Sequence, residues 1–364
     1  MFNFNHKLMF ILIYFTSLYI IDIYVASYWK NISIKKISEE SGYGTATVDR
    51  VLNDRPGVSQ KSKNKVLKIL SNLQKGIKKD NKKRILICCE SGPSYNRTLE
   101  TIIDNVNLKN EYQYNLSKKI IAAKDFKSEN FVKLIDNSEQ FDALLIISQE
   151  NHSINNSISL LAKKNKPSIT LTTDLSNSNR TCYVGNDQSV AGSTAAHLIG
   201  KHQGKKNGSI LMVMSMPYRC QQERELGFRN VIRSKYPNLQ IKESIFSLDT
   251  SEESYKNVKK FIKENGAPLA VYNISGGNLG VAKAIDELNL KEHIIFIGHE
   301  LNINSKYLLE NDKMDYVIGH DVELEVTVAF DKINSYFDNT LAKNFYYSDV
   351  LIYNKYNCLN KRVF

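Results

Sequence analysis

The sequence predicts an N-terminal all-α helix-turn-helix domain followed by a two-lobe α/β core built on parallel sheets. Three observations carry this. Most of the net positive charge sits in one short segment, that segment shows helical periodicity interrupted by Gly and Pro, and the remainder alternates short apolar runs with amphipathic stretches. A length of 364 residues exceeds one average domain and leaves room for two or three. With 42% hydrophobic and 24% charged residues the composition is that of a globular protein, which excludes a mostly disordered chain.

The chain begins with a hydrophobic head, residues 8–29 (LMFILIYFTSLYIIDIYVASYW). The run is long enough to cross a bilayer, which needs about 20 apolar residues. Asp22 lies inside it, and a charge near mid-membrane costs about 2.5–3.5 kcal/mol on insertion scales. Three readings stay open: a start-site artefact in which AT-rich DNA is read through, a membrane anchor, and an export signal without a clear small-residue cleavage site. If the head anchors the protein, the lysine-rich segment after it stays cytoplasmic by the positive-inside rule.

From Lys30 to Arg84 there are 15 Lys/Arg against 5 Asp/Glu, so this segment carries nearly all of the +11 formal charge. A compact basic module on a near-neutral body suggests a polyanionic partner for the module. Ser33 is a plausible N-cap for a first helix with Ile34, Ile37 and Ser38 inward, and Gly42-Tyr43-Gly44 ends it in a tight turn. Residues 45–53 form a second helix with Val48, Val51 and Leu52 inward. Pro56-Gly57 breaks the chain, and Ser59 caps a third helix in which Val66, Leu67, Ile69, Leu70 and Leu73 recur at helical spacing. The resulting domain spans 30–73, followed by a Lys-rich linker over 74–84 (QKGIKKDNKKR).

Ile37, Gly42, Ala46-Thr47-Val48, Arg50-Val51-Leu52-Asn53, Val58-Ser59 and Val66-Leu67 give this segment its character. In these residues and their spacing it closely resembles the DNA-binding domain of the lactose/galactose-repressor (LacI/GalR) family of transcriptional regulators. The resemblance implies that the second helix enters the major groove of double-stranded operator DNA. Thr45, Ala46 and Arg50 would then face base edges, Arg50 with two hydrogen bonds to a guanine. Thr47, Asn53, Ser59, Ser62 and Lys63 would contact phosphate or buttress the turn. The sequence departs from the family at Gly44 and Asp49, where Ser is usual. Asp49 would repel phosphate, pair with Arg50 or Arg55, or accept from a cytosine amino group. The linker lacks the family's Asn-x-x-Ala segment and Leu wedge, with Ile77 the one candidate, and reads as a flexible cationic tether.

The body, 85–364, changes character. Residues 85–89, 143–147, 168–171, 210–214, 269–272 and 294–297 read as buried strands, and 190–202, 222–235 and 279–288 as helices between them. Short continuous apolar strands alternating with helices imply parallel sheets in βαβ order, and their number implies two lobes. Tyr183-Val184-Gly185-Asn186-Asp187 with Ala191-Gly192, residues 224–229, residues 272–280, residues 297–300 and residues 315–321 give the body a further resemblance. It is similar to the periplasmic-binding-protein-like (type I) sugar-binding core that the same repressor family carries. That implies three crossings between lobes, near 185, 318 and 343, with lobe 1 at about 85–185 and 319–342 and lobe 2 at about 186–318 and 343–364. A ligand would sit outside the carboxyl ends of the strands.

Sugar hydroxyls call for fork-like donors and acceptors and an aromatic face. Positions after strands that supply them are Tyr95, Asn151, Asp187, Arg224, Asn273, Glu300 and His320. The resemblance makes Arg224 the ligand-gripping arginine and Asn273 and Glu300 the polar residues of the second lobe. Competing structural roles are a salt bridge from Arg224 to Glu223 or Glu225, a helix cap for Asp187, and a satisfied core position for His320.

Five cysteines (Cys88, Cys89, Cys182, Cys220, Cys358), odd in number and without C-x-x-C, suggest a reduced, cytosolic protein with neither disulfides nor a metal site. The chain lacks G-x-S-x-G, a Walker loop and metal-ligand spacing, so neither enzyme nor cofactor is expected. The expectation is a cytoplasmic, homodimeric regulator of repressor type that binds operator DNA and responds to a sugar or polyol. The alternative is a membrane-anchored or exported sugar-binding receptor.

Overall fold

Twelve strands in two sheets, twelve α-helices and two single-turn 3-10 helices make up the computed structural model, which describes residues 32–80, 82–110, 113–247, 249–341, 344–361 and 363. The hydrophobic head at 8–29 lies outside the described residues. The chain divides into two units between Lys82 and Lys83.

In the first unit α1 (Ile34–Ser41), α2 (Thr45–Leu52) and α3 (Gln60–Asp80) follow one another. Ser33 caps α1 by accepting from the Lys36 N–H at 3.2 Å, and Gly42 ends it with φ +72°, a left-handed conformation that glycine takes without Cβ strain. Ile32, Ile37, Val48, Val51, Leu52, Val66 and Leu70 form the core. α3 continues to Asp80, so most of the expected flexible tether is helical. Lys and Gln favour helix, and the single Gly76 costs only about 1 kcal/mol.

The second unit holds two lobes of matching topology. Lobe 1 is the sheet β11-β5-β4-β3-β1-β2, from β1 (Arg84–Ser91), β2 (Asn115–Ala122), β3 (Ala143–Ile147), β4 (Ser168–Leu171), β5 (Cys182–Asn186) and β11 (Phe345–Ser348), all parallel. Lobe 2 repeats the order as β12-β10-β9-β8-β6-β7, from β6 (Gly208–Met214), β7 (Leu239–Phe246), β8 (Ala270–Asn273), β9 (Ile295–His299), β10 (Tyr316–Gly319) and β12 (Leu351–Tyr353), with only β12 antiparallel. Helices α4 (Pro93–Lys109), α5 (Ser128–Asp136), α6 (His152–Lys163) and α12 (Val322–Phe337) pack in lobe 1. Helices α7 (Gln188–Gln203), α8 (Arg219–Lys235), α9 (Ser251–Asn265), α10 (Asn278–Glu287) and α11 (Ile303–Glu310) pack in lobe 2.

All six predicted strands are present. The edge strands β2 and β7 have no such continuous apolar run: β2 carries Lys118 and Lys119, because an edge strand has one solvent-facing side. The chain crosses between lobes at 187, near 320 and at 349–350. The last lies beyond the expected 343 because β11 first pairs with β5 in lobe 1.

Candidate functional site

A cavity of ≈ 370 Å³ lies between the lobes, at the carboxyl ends of the central strands. It is lined from lobe 1 by the end of β1, the start of α4 and the turn after β4, and from lobe 2 by the start of α8 and the loops after β7, β8 and β9. The lobes meet around it. The Tyr218 hydroxyl donates to the Glu90 carbonyl at 3.5 Å, the Cys220 N–H to Thr173 Oγ1 at 3.2 Å, and Asn304 Nδ2 to Ser94 Oγ at 3.3 Å. A Cβ on Gly92 would sit 3.4 Å from Asp249 Cβ across the gap.

Arg224 is the central cation, and its side chain is only 4% exposed. Its Nε donates to Gln188 Oε1 at 2.7 Å, Nη1 to the Ile274 carbonyl at 3.2 Å and Nη2 to Glu300 Oε1 at 3.3 Å. A guanidinium has five N–H groups, so two remain for a ligand. The close crossing of α7 and α8 holds it in place. A Cβ on Gly192 would lie 1.9 Å from the Arg224 carbonyl oxygen, and one on Gly227 2.1 Å from that of Ser189.

Three lining residues, Thr172, Asp249 and Glu300, have left-handed backbones at φ +61°, +55° and +67°. Such conformations cost a non-glycine residue about 1–3 kcal/mol and concentrate at ligand sites. Each is held by polar contacts. Thr172 Oγ1 meets the Tyr95 hydroxyl at 2.6 Å, and its carbonyl accepts from Gln188 Nε2 at 2.8 Å. Asp249 Oδ1 accepts from the Gly276 N–H and from Ser215 Oγ, both at 2.7 Å.

The cavity's carboxyl groups differ in environment. Burial pushes Glu90 up to about 7, against lowering hydrogen bonds from the Gln149 N–H and side chain and from Ser148. Burial likewise raises Asp249, against the Gly276 and Ser215 hydrogen bonds. Burial would also raise Glu300, but His320 and Arg224 outweigh it and bring it down to about 2. His299 is kept below the usual imidazole range by burial and by the nearby Arg224.

Of the sequence-predicted ligand residues, the structure brings Tyr95, Arg224 and Glu300 to the cavity wall. His320 stands directly behind Glu300, its Nε2 3.0 Å from Glu300 Oε2. Asn151 caps α6 by accepting from the Ser153 N–H, and Asp187 caps α7 by accepting from the Val190 N–H. Asn273 is fully buried behind the wall, donating to Asn278 Oδ1 at 2.7 Å and accepting from the Ser275 hydroxyl. A polar residue after a strand serves equally as ligand contact or as helix cap, and only the tertiary structure separates the two. Sequence reasoning missed Glu90, Asp249 and Gln221. Glu90 had a signal, a carboxyl group directly following the apolar run 85–89.

In the first unit the residues assigned to DNA are largely engaged with one another. Asn53 Nδ2 donates to Asp49 Oδ1 at 2.8 Å, Arg55 pairs with Asp49 at 3.0 Å, Lys63 pairs with Asp54 at 2.5 Å, and Ser59 meets Ser62 at 2.9 Å. Thr45, Ala46 and Arg50 are exposed and Thr47 half-buried. Among the described residues no cluster of His, Cys, Asp and Glu has the arrangement to hold a metal ion.

Comparison with known proteins gives a family. The periplasmic binding protein domain matches residues 94–340, a span that begins beyond the three-helix unit. A search of curated proteins finds no match. Among solved structures, the glucose-galactose binding protein GanP of Geobacillus stearothermophilus is 17% identical and covers 77% of this chain and 100% of its own, with a TM-score of 0.69. An ABC transporter periplasmic solute binding protein of Actinobacillus succinogenes with bound D-allose is also 17% identical, covers 77% and 100%, and gives 0.70. An ABC transporter solute binding protein of Burkholderia graminis in complex with D-arabinose is 15% identical, covers 76% and 97%, and gives 0.70. At these identities the likeness establishes the two-lobe fold.

The family match and these neighbours overturn the expected cytoplasmic repressor with operator DNA as partner, and the dimer inferred from operator half-sites loses its basis. The three helices expected from the spacing are present; the operator-DNA partner rested on charge and on the resemblance. Net charge reports affinity for anions in general and does not identify the partner. The cysteine argument for the cytosol fails for another reason. All five thiols are free and buried, and burial pushes Cys88 up to about 12 and Cys182 up to about 11. Buried thiols with so little thiolate stay unpaired in an oxidising compartment as well.

Proposed function

The chain belongs to the periplasmic binding protein domain family, and on that premise we propose that it is an exported or membrane-anchored solute-binding receptor whose ligand is a sugar. It acts by binding: a sugar fills the interlobe cavity and holds the lobes closed around it. The observation that carries this reading is the cavity wall, where Arg224 with two uncommitted N–H groups faces a site shared with Glu90, Asp249 and Glu300. Sugar hydroxyls donate and accept at once, so a wall mixing cationic donors with carboxylate acceptors suits them. Tyr95 and Tyr218 supply apolar ring surface for the C–H face. The sugars named for the neighbouring structures, D-allose and D-arabinose among them, define the class to try first. Residues 8–29 would then serve as export signal or anchor.

Two measurements test the reading. Thermal unfolding is followed with D-allose, D-arabinose, D-galactose and D-fucose, for the wild type and for Arg224→Ala. A sugar at 100 times its Kd adds about 2.7 kcal/mol of stability, so at least one should raise the Tm of the wild type and none that of the variant. The absence of any sugar-dependent shift in the wild type would sink the sugar assignment. Cell fractionation tests the location: recovery of the chain only among soluble cytosolic proteins argues against a receptor.

A further inference from the structure

One continuous set of polar side chains touches all three crossings between the lobes. At the first, Gln188 donates to the Thr172 carbonyl of lobe 1 at 2.8 Å and accepts from Arg224 Nε of lobe 2 at 2.7 Å. Arg224 Nη2 reaches Glu300 Oε1 at 3.3 Å, and Glu300 Oε2 lies 3.0 Å from Nε2 of His320 at the second crossing. His320 Nδ1 lies 2.7 Å from Oε1 of Glu325 on α12, and Ser348 Oγ, beside the third crossing, donates to that same oxygen at 2.5 Å. Glu300 belongs to lobe 2 and Glu325 to lobe 1, so the imidazole spans the lobes.

The ring is enclosed, with the His320 side chain 1% and the Glu325 side chain 0% exposed. A neutral imidazole has one N–H donor, whereas carboxyl groups at both ring nitrogens are satisfied together when both nitrogens donate. Burial would favour the neutral ring, but Glu325 and Glu300 outweigh it and raise its pKa well above the ordinary value. The surrounding groups are accounted for. Glu300 and the neutral His299 come from the end of β9, Glu325 from α12, and Arg224 from α8 through Glu300. Tyr95 of α4 and Tyr183 of β5 stand near the carboxyl partners. Asp321, the chain neighbour, accepts from the Leu324 N–H to cap α12. Glu325 Oε2 is buried and has no partner among the described residues, so the hold on that carboxyl passes through Oε1.

We propose that His320 is a positioning residue for the cavity: with both ring nitrogens donating, it bridges Glu325 of lobe 1 to Glu300 of lobe 2, and so ties the orientation of the Glu300–Arg224 pair to the closed lobes. A buried ion pair within one lobe would be weak evidence for anything but local specificity. Here the partners lie on opposite sides of the crossings, so opening the cleft separates them and releases Glu300, whose left-handed backbone needs outside support. The ligand-binding arm of this proposal rests on the receptor reading; the bridge does not.

The test uses the full chain with His320→Gln and, as a second variant that keeps size and the Ser348 contact, Glu325→Gln. Spin labels at Lys133→Cys in lobe 1 and Lys260→Cys in lobe 2 report the interlobe distance, the five native thiols being buried. Nitrogen-15 NMR of the imidazoles, with the His320 signal assigned by its loss in His320→Gln, reports its protonation at pH 7.5. The expected result is a doubly protonated His320 and, in both variants, a distance distribution that broadens and lengthens. For whichever of D-allose, D-arabinose and D-fucose binds the wild type, Kd should rise at least tenfold in both variants. A neutral ring, or distance distributions that both variants leave unchanged, overturns the bridge. If no sugar binds the wild type while ring and distances behave as expected, the receptor reading falls and the bridge stands.

Discussion

In the three-helix unit Asp49 pairs with Arg55 and Asp54 with Lys63 through side chains 34–81% exposed, while in the cleft Arg224, Glu300, His320 and Glu325 pair through side chains no more than 24% exposed. Both networks bring opposite charges to 2.5–3.3 Å, so distance does not distinguish them. Solvent does. Exposed pairs are screened and contribute about 0–1 kcal/mol, whereas removing one partner of a buried pair costs about 3–5 kcal/mol. The first network therefore tolerates change, and the second fixes the geometry of a cavity.

The sharpest break of that contrast is Arg224→Ala. It leaves the Ile274 carbonyl and Gln188 Oε1 without their donor and Glu300 with one fewer partner, so unfolding free energy should fall by about 3–5 kcal/mol in denaturant titration and sugar binding should vanish. A loss below about 1 kcal/mol would place the pair with the surface type. Gly192→Ala comes next. The added methyl meets the Arg224 carbonyl oxygen, forcing α7 and α8 apart at a cost of about 1–3 kcal/mol and moving Arg224 off its partners. Calorimetry should show reduced sugar affinity along with a lower Tm.

The pH response is a third and smaller effect, and its limbs have opposite causes. Glu300, depressed from 4.5 to about 2, contributes stability that is complete above about 4.5 and lost as pH falls toward 2. His320, raised from 6.5, contributes stability that is complete below 6.5 and lost as pH rises through its folded value. Glu90, raised from 4.5 to about 7, makes the fold progressively less stable as pH climbs between those two values. Denaturation profiles should therefore show an acid limb absent in Glu300→Gln and a limb between 4.5 and 7 absent in Glu90→Gln. The smallest expected effect is Asp49→Ala in the three-helix unit, which should shift stability by less than about 1 kcal/mol. A larger loss would mean that the surface network is coupled to the core around Val48 and Val51.

How far the site was legible follows from the kind of signal each residue gives. Arg224 was legible through the resemblance, because it stands three residues before Gly227 where the family's ligand-gripping arginine stands. Asn151 and Asp187 cap helices and stand outside the cavity lining, because a strand-to-helix loop places caps where it also places ligand contacts. Asp249 was invisible because it follows the edge strand β7, which lacks a continuous apolar run, and enters the cavity only through its turn and its contacts with Ser215 and Gly276.

By itself the sequence determined the strands β1, β3, β4, β6, β8 and β9 and the alternation of strand and helix around them. Apolar runs of four to eight residues dictate parallel strands, the intervening helical spacing dictates the crossovers, and the Gly and Pro breaks separate α1, α2 and α3. These are local properties, set by propensity and by which face must be buried. The tertiary structure alone decided which polar residues share the cavity, because Glu90, Asp249 and Glu300 are more than 200 residues apart at the extremes and meet only when two sheets of the same topology face each other. It also decided that His320, at a crossing rather than in a wall, connects the lobes, since bridging two carboxyl groups depends on burial that no stretch of sequence carries alone.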